Sequence, residues 1–326
     1  MAGGTGVRAL LLAACLAAAG AAAQENPSKP VRVVIPYPPG GVDVSVRLLM
    51  PAIERELGQP WVLDYRAGAG GLIGHEHVAR SAPDGYTLIA TVSNPWIILP
   101  SLRRTTPYDP IKDFTPVTMG YEGANLIVAH PSFPAGNFRE LVEHAKRNPG
   151  KVAFATSGIG SAQHIDGENI RRLGGVDMIH APFQGFGPMI PAMVGGQVPV
   201  GFITFQIARQ LVAAGKLKIV AITNSANIDK SLWPPGIQPV DEVLPGFVPM
   251  PAWQAYGGPT GLPRPIVLRT QRAIAKALDE PAIVKQFAED RIMKLGMPPD
   301  DFERRLKAEY TLVRNAIKAA GIPPQE

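Results

Sequence analysis

Beyond its first fifteen residues the chain contains no cysteine, since Cys15 is the only one among 326 residues. Disulfides, a thiolate nucleophile and cysteine-ligated metals are therefore excluded from the remainder. Long apolar runs are lacking as well. None after the N-terminal segment reaches the ~20 residues that a helix needs to cross a bilayer. Charge is sparse, 32 Lys and Arg against 27 Asp and Glu, with basic residues scattered in pairs such as Arg103-Arg104, Arg171-Arg172 and Arg304-Arg305. With no basic stripe interleaved with aromatics, nucleic acid is excluded as a partner. The G-x-S-x-G elbow of nucleophilic hydrolases is also missing.

The N-terminus has a single charge, Arg8, then an Ala/Leu-rich run from Ala9 to Ala19 and Ala21-Ala22-Ala23 before Gln24. This order of n-region, h-region and small-residue cleavage site predicts a secretory signal over residues 1–23 and an exported, periplasmic product. Losing Arg8 lowers the formal net charge of +5 by one. Leu12-Ala13-Ala14-Cys15 also resembles a lipoprotein cleavage box, which would lipidate Cys15 and tether the protein to a membrane. The apolar run before it is short against the ~7–15 residues of an h-region, so a free product is expected.

The most informative stretch follows. Val31, Val33, Val34 and Ile35 form a β-branched run that stops at Pro38-Pro39-Gly40-Gly41, and Val44, Val46, Leu48, Leu49, Ile53 and Leu57 then recur at helical spacing. Strand, rigid loop and helix are predicted. Such a corner places the free N–H groups of a helix's first turn at the carboxyl end of a strand, where a carboxylate or phosphate is favoured.

The pattern repeats. Trp61 to Tyr65 reads as a strand, Arg66 to Gly71 as a Gly-rich loop, Leu72 to Ala79 as a helix, and Tyr86 to Thr91 as a third strand ending at Ser93-Asn94. A second run offers strands at Leu126 to Ala129, Val152 to Ala155, Met178 to His180, Val198 to Phe202 and Ile219 to Thr223. Helices are predicted from Asn137 to Arg147 and from Ala162 to Leu173, the latter after the small-residue loop Thr156 to Ser161. Facing loops in the two halves describe a cleft. Trp233 to Pro263, rich in Pro and Gly, is expected to wrap the surface. Helices follow at Arg264 to Leu278, Pro281 to Arg291 and Pro299 to Ala320. Strands alternating with helices imply mostly parallel sheets.

Gly68-Ala69-Gly70-Gly71-Leu72-Ile73-Gly74 invites a dinucleotide reading. Its spacing is G-x-G-x-x-x-G, however, and the next strand ends without the acid that holds a ribose, so an NAD(P)-dependent oxidoreductase is the disfavoured alternative. His75 and His77, two apart on a helix, point to different faces, are read as a surface pair and bind no shared metal. Trp96, Trp233 and Trp253 are read as core or interface, Trp253 being the candidate nearest to a ligand. No cofactor is implied.

In this order the pieces resemble the periplasmic solute receptors of tripartite tricarboxylate transporters, the Bug receptors. The matching segments are Val34 to Gly41, Arg66 to Gly71, Pro83 to Leu88, Tyr108-Asp109-Pro110 with Asp113-Phe114, Ser157 to Ser161, His164, Gly167-Glu168, Pro182 to Gly185, Gly196-Gln197-Val198 and Gly215-Lys216-Leu217. The resemblance implies an α/β, two-domain periplasmic binding protein of Venus-flytrap type with a mostly parallel sheet in each domain. Residues 24–122 and 224–326 would form the first domain and 123–223 the second, with hinges near 121–124 and 221–225. It implies a receptor and not an enzyme: a monomer that binds a small organic carboxylate in the cleft and delivers it to a membrane permease, or alternatively informs a sensor kinase.

Carried over by position, one ligand-binding set is Tyr37, Pro39, Gly40, Gly41, Val42, Asp43, Gly70, Gly71, Ser93 and Asn94. The other is Thr156, Ser157, Ser161, His164, Phe183, Gly185 and Thr204. Three departures stand out. The acidic residue of the first loop, Asp43, comes two positions after the Gly-Gly pair and not three, which leaves it to cap the helix, order a water or cede the cap to Ser45. Tyr65 stands where the family has Asn, and Gln184 where it has Lys.

Overall fold

The computed structural model describes residues 27–40, 42–224 and 228–325. The expectations for residues 1–23, Cys15, Gly41 and Ser225 lie outside these described residues.

Two sheets organise the chain. The first has the order β11-β4-β10-β3-β1-β2 and the second β7-β6-β8-β5-β9. In the first, β1 (Val31–Ile35) lies parallel to β2 (Trp61–Tyr65) and β3 (Thr87–Val92). Its other strands, β4 (Phe114–Gly123), β10 (Trp253–Pro259) and β11 (Ile292–Lys294), pair antiparallel. In the second, β6 (Val152–Thr156) lies parallel to β7 (Met178–Pro182) and β8 (Val200–Thr204), while β5 (Asn125–Ala129) is antiparallel to β8 and β9 (Lys218–Ile222). The α/β class is as expected, but both sheets are mixed. Parallel pairing is confined to one trio in each, because strands that carry the chain between halves enter from the opposite end.

Each trio has the same construction. The chain runs from the middle strand (β1 or β6) to one neighbour and then crosses to the other, so its order reverses beside the middle strand. Ligands bind outside the carboxyl ends of strands at such a reversal. Local chemistry sets these ends. Helix α1 (Val42–Leu57) has Asp43 in its first turn and Arg55 in its last, and the chain leaves it through Gly58 at φ 73°. Helix α2 (Leu72–Ala79) lies so close to the end of β1 that a Cβ on Gly74 would stand 2.8 Å from the Pro36 Cβ and 3.0 Å from its Cα. Helix α3 (Phe138–Arg147) is capped by Asn137 and α4 (Ala162–Gly174) by Ser161, each side chain accepting from the N–H three residues on. Helices α5 (Phe186–Val194) and α6 (Phe205–Ala213) follow β7 and β8; α7 (Arg264–Leu278), α8 (Pro281–Glu289) and α9 (Pro299–Ala319) complete the chain.

The Pro/Gly-rich stretch from Trp233 to Pro263 does not simply wrap the surface. It contains β10, every residue of which is buried between β3 and β4. A strand covered on both faces shows no alternation, which removes the period-2 signal. Upstream of β10, Val240, Leu244 and Phe247 pack with Ile127, Phe154 and Phe202 of the second sheet, although residues from 224 on were expected with the first. The return to the first sheet falls between Phe247 and Trp253. There the Met250 N–H donates to the buried Asp166 carboxylate at 2.9 Å. The outward passage is Ala124, between β4 and β5, and the Asn224 side chain clips it by accepting from Asn125 N–H and donating to the Gly123 carbonyl, both at 2.8 Å.

Candidate ligand-binding site

Each described candidate residue ends or follows one of the six strands of the two trios, or lies in the first turn of the helix after it. In the first wall, Asp43 is nearly covered, with 4% of its side chain exposed. Its Oδ1 accepts from Gly40 N–H at 2.8 Å, and its Oδ2 accepts from the Tyr65 hydroxyl at 2.9 Å and from Arg47 Nε at 3.3 Å. Arg47 also donates to the Tyr65 oxygen at 2.6 Å. Asp43 therefore holds the loop before its helix, with Gly40 at φ 98°, a conformation that disfavours any side chain. Ser45 does not take over the cap: its hydroxyl donates to Gln254 Oε1 at 2.6 Å, with Val42 O also within reach at 3.0 Å. Tyr65 is an integral part of this anchor.

Tyr37 and Asn94 lie at the ends of β1 and β3, and burial pushes the Tyr37 hydroxyl above its ordinary range, with Asn94 acting the other way. Gly70 and Gly71 form a tight turn in which Gly71 N–H is committed to Gly68 O at 2.9 Å. Ser93 is buried and donates to Pro251 O at 2.6 Å, which ties the wall to the returning chain. His75, expected at the surface, is fully buried against Tyr108 and Gly71 O, and burial lowers its pKa to about 4. Trp253 is likewise core, donating to Glu309 at 2.6 Å, and does not line a cleft.

In the second wall two loops lie side by side, joined by Phe183 N–H to Thr156 O and Gly185 N–H to Ser157 O, both at 3.0 Å. They border an open concavity of about 370 Å³ lined by Ser157, Gly158, Ile159, Phe183, Gln184 and Gly185, together with Pro182. Ser157, Phe183 and Gly185 are thus brought together, whereas Thr156, Ser161, His164, Thr204 and the first-wall residues do not line this cavity. Thr156 is buried and bonded to His180 at 2.7 Å. The Ser161 hydroxyl donates to Gly158 O at 2.7 Å and accepts from His164 N–H at 3.2 Å. His164 accepts from Gly160 N–H through Nδ1 at 3.2 Å. Thr204 closes β8 opposite Asn125, beside the Ala124 passage. A larger concavity of about 620 Å³, lined in part by Asn137, Phe205, Gln238 and Arg291, contains no candidate residue.

Two features escaped sequence reasoning. His180 supports Thr156 from the middle of β7, where only its alternation with the exposed Ile179 marks it as inward. Glu168 joins His164 and His180 in a group whose possible ligand atoms lie within 4.8 Å of one another. The geometry opposes a shared metal ion. The two imidazoles stack face to face at 4.2 Å and 14°, so their in-plane lone pairs do not converge, and Arg171 already donates to both Glu168 oxygens at 3.0 and 2.9 Å.

The comparisons agree with this architecture. BugT of Bordetella pertussis is 33% identical over 307 residues, covering 93% of each chain. Among solved structures, an R. palustris protein with adipate is 27% identical at TM-score 0.82, covering 92% of this chain and all of that one. MatC from Rhodopseudomonas palustris, with bound malate, is 29% identical at TM-score 0.77, covering 89% of this chain and 99% of that one. Residues 45–322 match the tripartite tricarboxylate transporter family receptor, whose members are solute-binding receptors and not enzymes. The chain belongs to this family of periplasmic solute receptors.

Proposed function

We propose that the protein captures a small organic carboxylate between the two walls and delivers it to a membrane permease of the tripartite type. The observation that carries this reading is the pair of strand trios, each presenting loops and helix starts at a chain reversal. The first wall, from Tyr37 to Asp43 with Gly70, Gly71 and Asn94, receives one carboxylate through main-chain dipoles. The second, with Ser157, Phe183 and Gly185, receives the remainder of the solute. Structural relatives solved with adipate and with malate support a carboxylate. Residues up to 122 together with the chain from about 248 onward form one lobe, residues 123–247 the other, and capture closes them about Ala124 and the 248–252 return. Export to the periplasm through residues 1–23 completes the reading.

A thermal-shift screen of di- and tricarboxylates, acidic amino acids and aromatic acids tests it, because a cleft ligand stabilises the folded state by mass action. One or a few acids are expected to raise the melting temperature and to be recovered unchanged. Silence across the screen, or consumption of the acid, refutes the proposal.

A further inference from the structure

We propose that His180, in β7 behind the second wall, is the positioning residue of that wall: it sets the backbone of residues 156–161 through Thr156 and through the face of His164. This rests on the receptor reading above, in which the same loop meets the solute.

Three rings form one column. Phe154 lies parallel to His180 at 5.1 Å and 22°, and His180 lies parallel to His164 at 4.2 Å and 14°. Each imidazole holds one point of the loop. His180 Nε2 is bonded to Thr156 Oγ1 at 2.7 Å, and Thr156 Oγ1 in turn accepts from Gly158 N–H at 3.4 Å. His164 Nδ1 accepts from Gly160 N–H at 3.2 Å. The residues between these points, Ser157 to Ile159, form one side of the 370 Å³ cavity. The column therefore fixes both ends of the segment that faces the solute, with no contact of its own to the cavity.

The arrangement requires uncharged rings. A protonated His164 loses the Nδ1 lone pair that accepts from Gly160, and two imidazolium faces at 4.2 Å repel. Burial, with His164 and Arg171 adding to it, holds His180 down at about 4, and burial also lowers His164. The charged groups around the column come from α4 and from the turn before β7. Glu168 lies 4.0 Å from His164 Nε2 and favours its protonation. Arg171, bonded to Glu168 and 3.8 Å from Asp177, disfavours it. Asp166, also on α4, is turned toward Met250.

The test uses the full mature chain. In ligand-free protein, the ¹H–¹⁵N signals of Gly158 and Gly160 should titrate together as pH falls from 7 toward 4, while glycines remote from the column stay fixed. His180→Phe keeps a stacking ring and loses the bond to Thr156. It should shift the Gly158 amide at pH 7 and weaken binding of adipate or malate, whichever the wild type takes, by about tenfold. His180→Gln, which retains a hydrogen-bonding group, should recover most of that loss. Gly158 and Gly160 signals that ignore both pH and His180→Phe overturn the proposal, as does wild-type affinity in His180→Phe. If the signals respond as expected but no carboxylate binds the wild type, the receptor reading fails and the positioning role stands.

Discussion

Asp43→Asn tests whether the first wall depends on a buried carboxylate. Among the described residues, the wild-type side chain accepts from Gly40 N–H, Tyr65 and Arg47. Asparagine offers one oxygen acceptor, and turning it to Gly40 leaves its NH₂ against two donors. Arg47 matters little there, because its side chain is 58% exposed and such a pair contributes at most about 0.5 kcal/mol. Tyr65 matters more, since its hydroxyl can rotate to accept from the amide but then leaves its own proton unpaired. One charge-assisted bond is lost in net terms, about 2 kcal/mol. Gly40, at φ 98°, is exposed, and its N–H is bonded to Asp43. Most of the loss is therefore felt as loop release, and binding weakens roughly tenfold to thirtyfold, each 1.4 kcal/mol being tenfold. Urea denaturation of the ligand-free protein and titration calorimetry with the tightest acid from the screen measure the two effects. Tyr65→Phe should give about half of each. A variant that loses stability but binds normally would show that Asp43 supports the fold and not the binding loop; one that changes neither would refute the reasoning altogether.

Three further outcomes are expected. Gly74→Ala presses a methyl against Pro36 backbone and Arg66 O, so it should destabilise by about 1–3 kcal/mol in urea and weaken ligand binding by prising α2 from the end of β1. Burial raises the Glu122 pKa to about 7 despite the opposing attraction of Arg305, so the folded state holds this proton more tightly than the unfolded one. Stability from this group is fully present below about 4.5 and lost as pH rises through 7; Glu122→Gln should flatten the urea midpoint between pH 5 and 8, and an unchanged slope would remove Glu122 as its source. Trp253→Phe removes the bond to Glu309 from the core and should lower the melting temperature while leaving affinity within about twofold, one lost bond being worth roughly 1 kcal/mol; a large affinity loss would return Trp253 to the cleft.

The parts of the fold legible in the sequence were those with a local cause. The β-branched run of β1, the helices α3 and α4 after their small-residue loops and the Pro-initiated helices α7, α8 and α9 each announce themselves within a few residues. What escaped depends on distant partners. Strand β10 is a strand because β3 and β4 cover it, and its Pro and Gly content argued locally for a loop. His75 sits on a short helix whose burial comes from Tyr108 and Trp96, neither of which its own spacing reveals. The candidate site was half legible for the same reason: glycines and prolines marked the loops, but the groups that hold them, Tyr65 with Asp43 and His180 with Thr156, meet across 22 and 24 residues.

Those two anchors answer the same physical problem at equivalent places. Each trio ends in a glycine-containing loop whose backbone N–H groups are tied to protein acceptors, Gly40 to Asp43 in the first and Gly158 and Gly160 to Thr156 and His164 in the second. Each loop is therefore held from behind by a residue on the strand next to the middle one, Tyr65 closing β2 and His180 within β7. The first anchor is ionic and the second is a stack of neutral rings, so the walls should respond differently to solvent. Salt acts on the first only at Arg47, the one exposed member. Acid acts on the second when the imidazoles charge. A receptor built this way can lose one wall while the other stays ordered. Carboxylate affinity should then fall in acid before the first wall's Gly40 amide moves, an order that NMR titration of the free protein resolves.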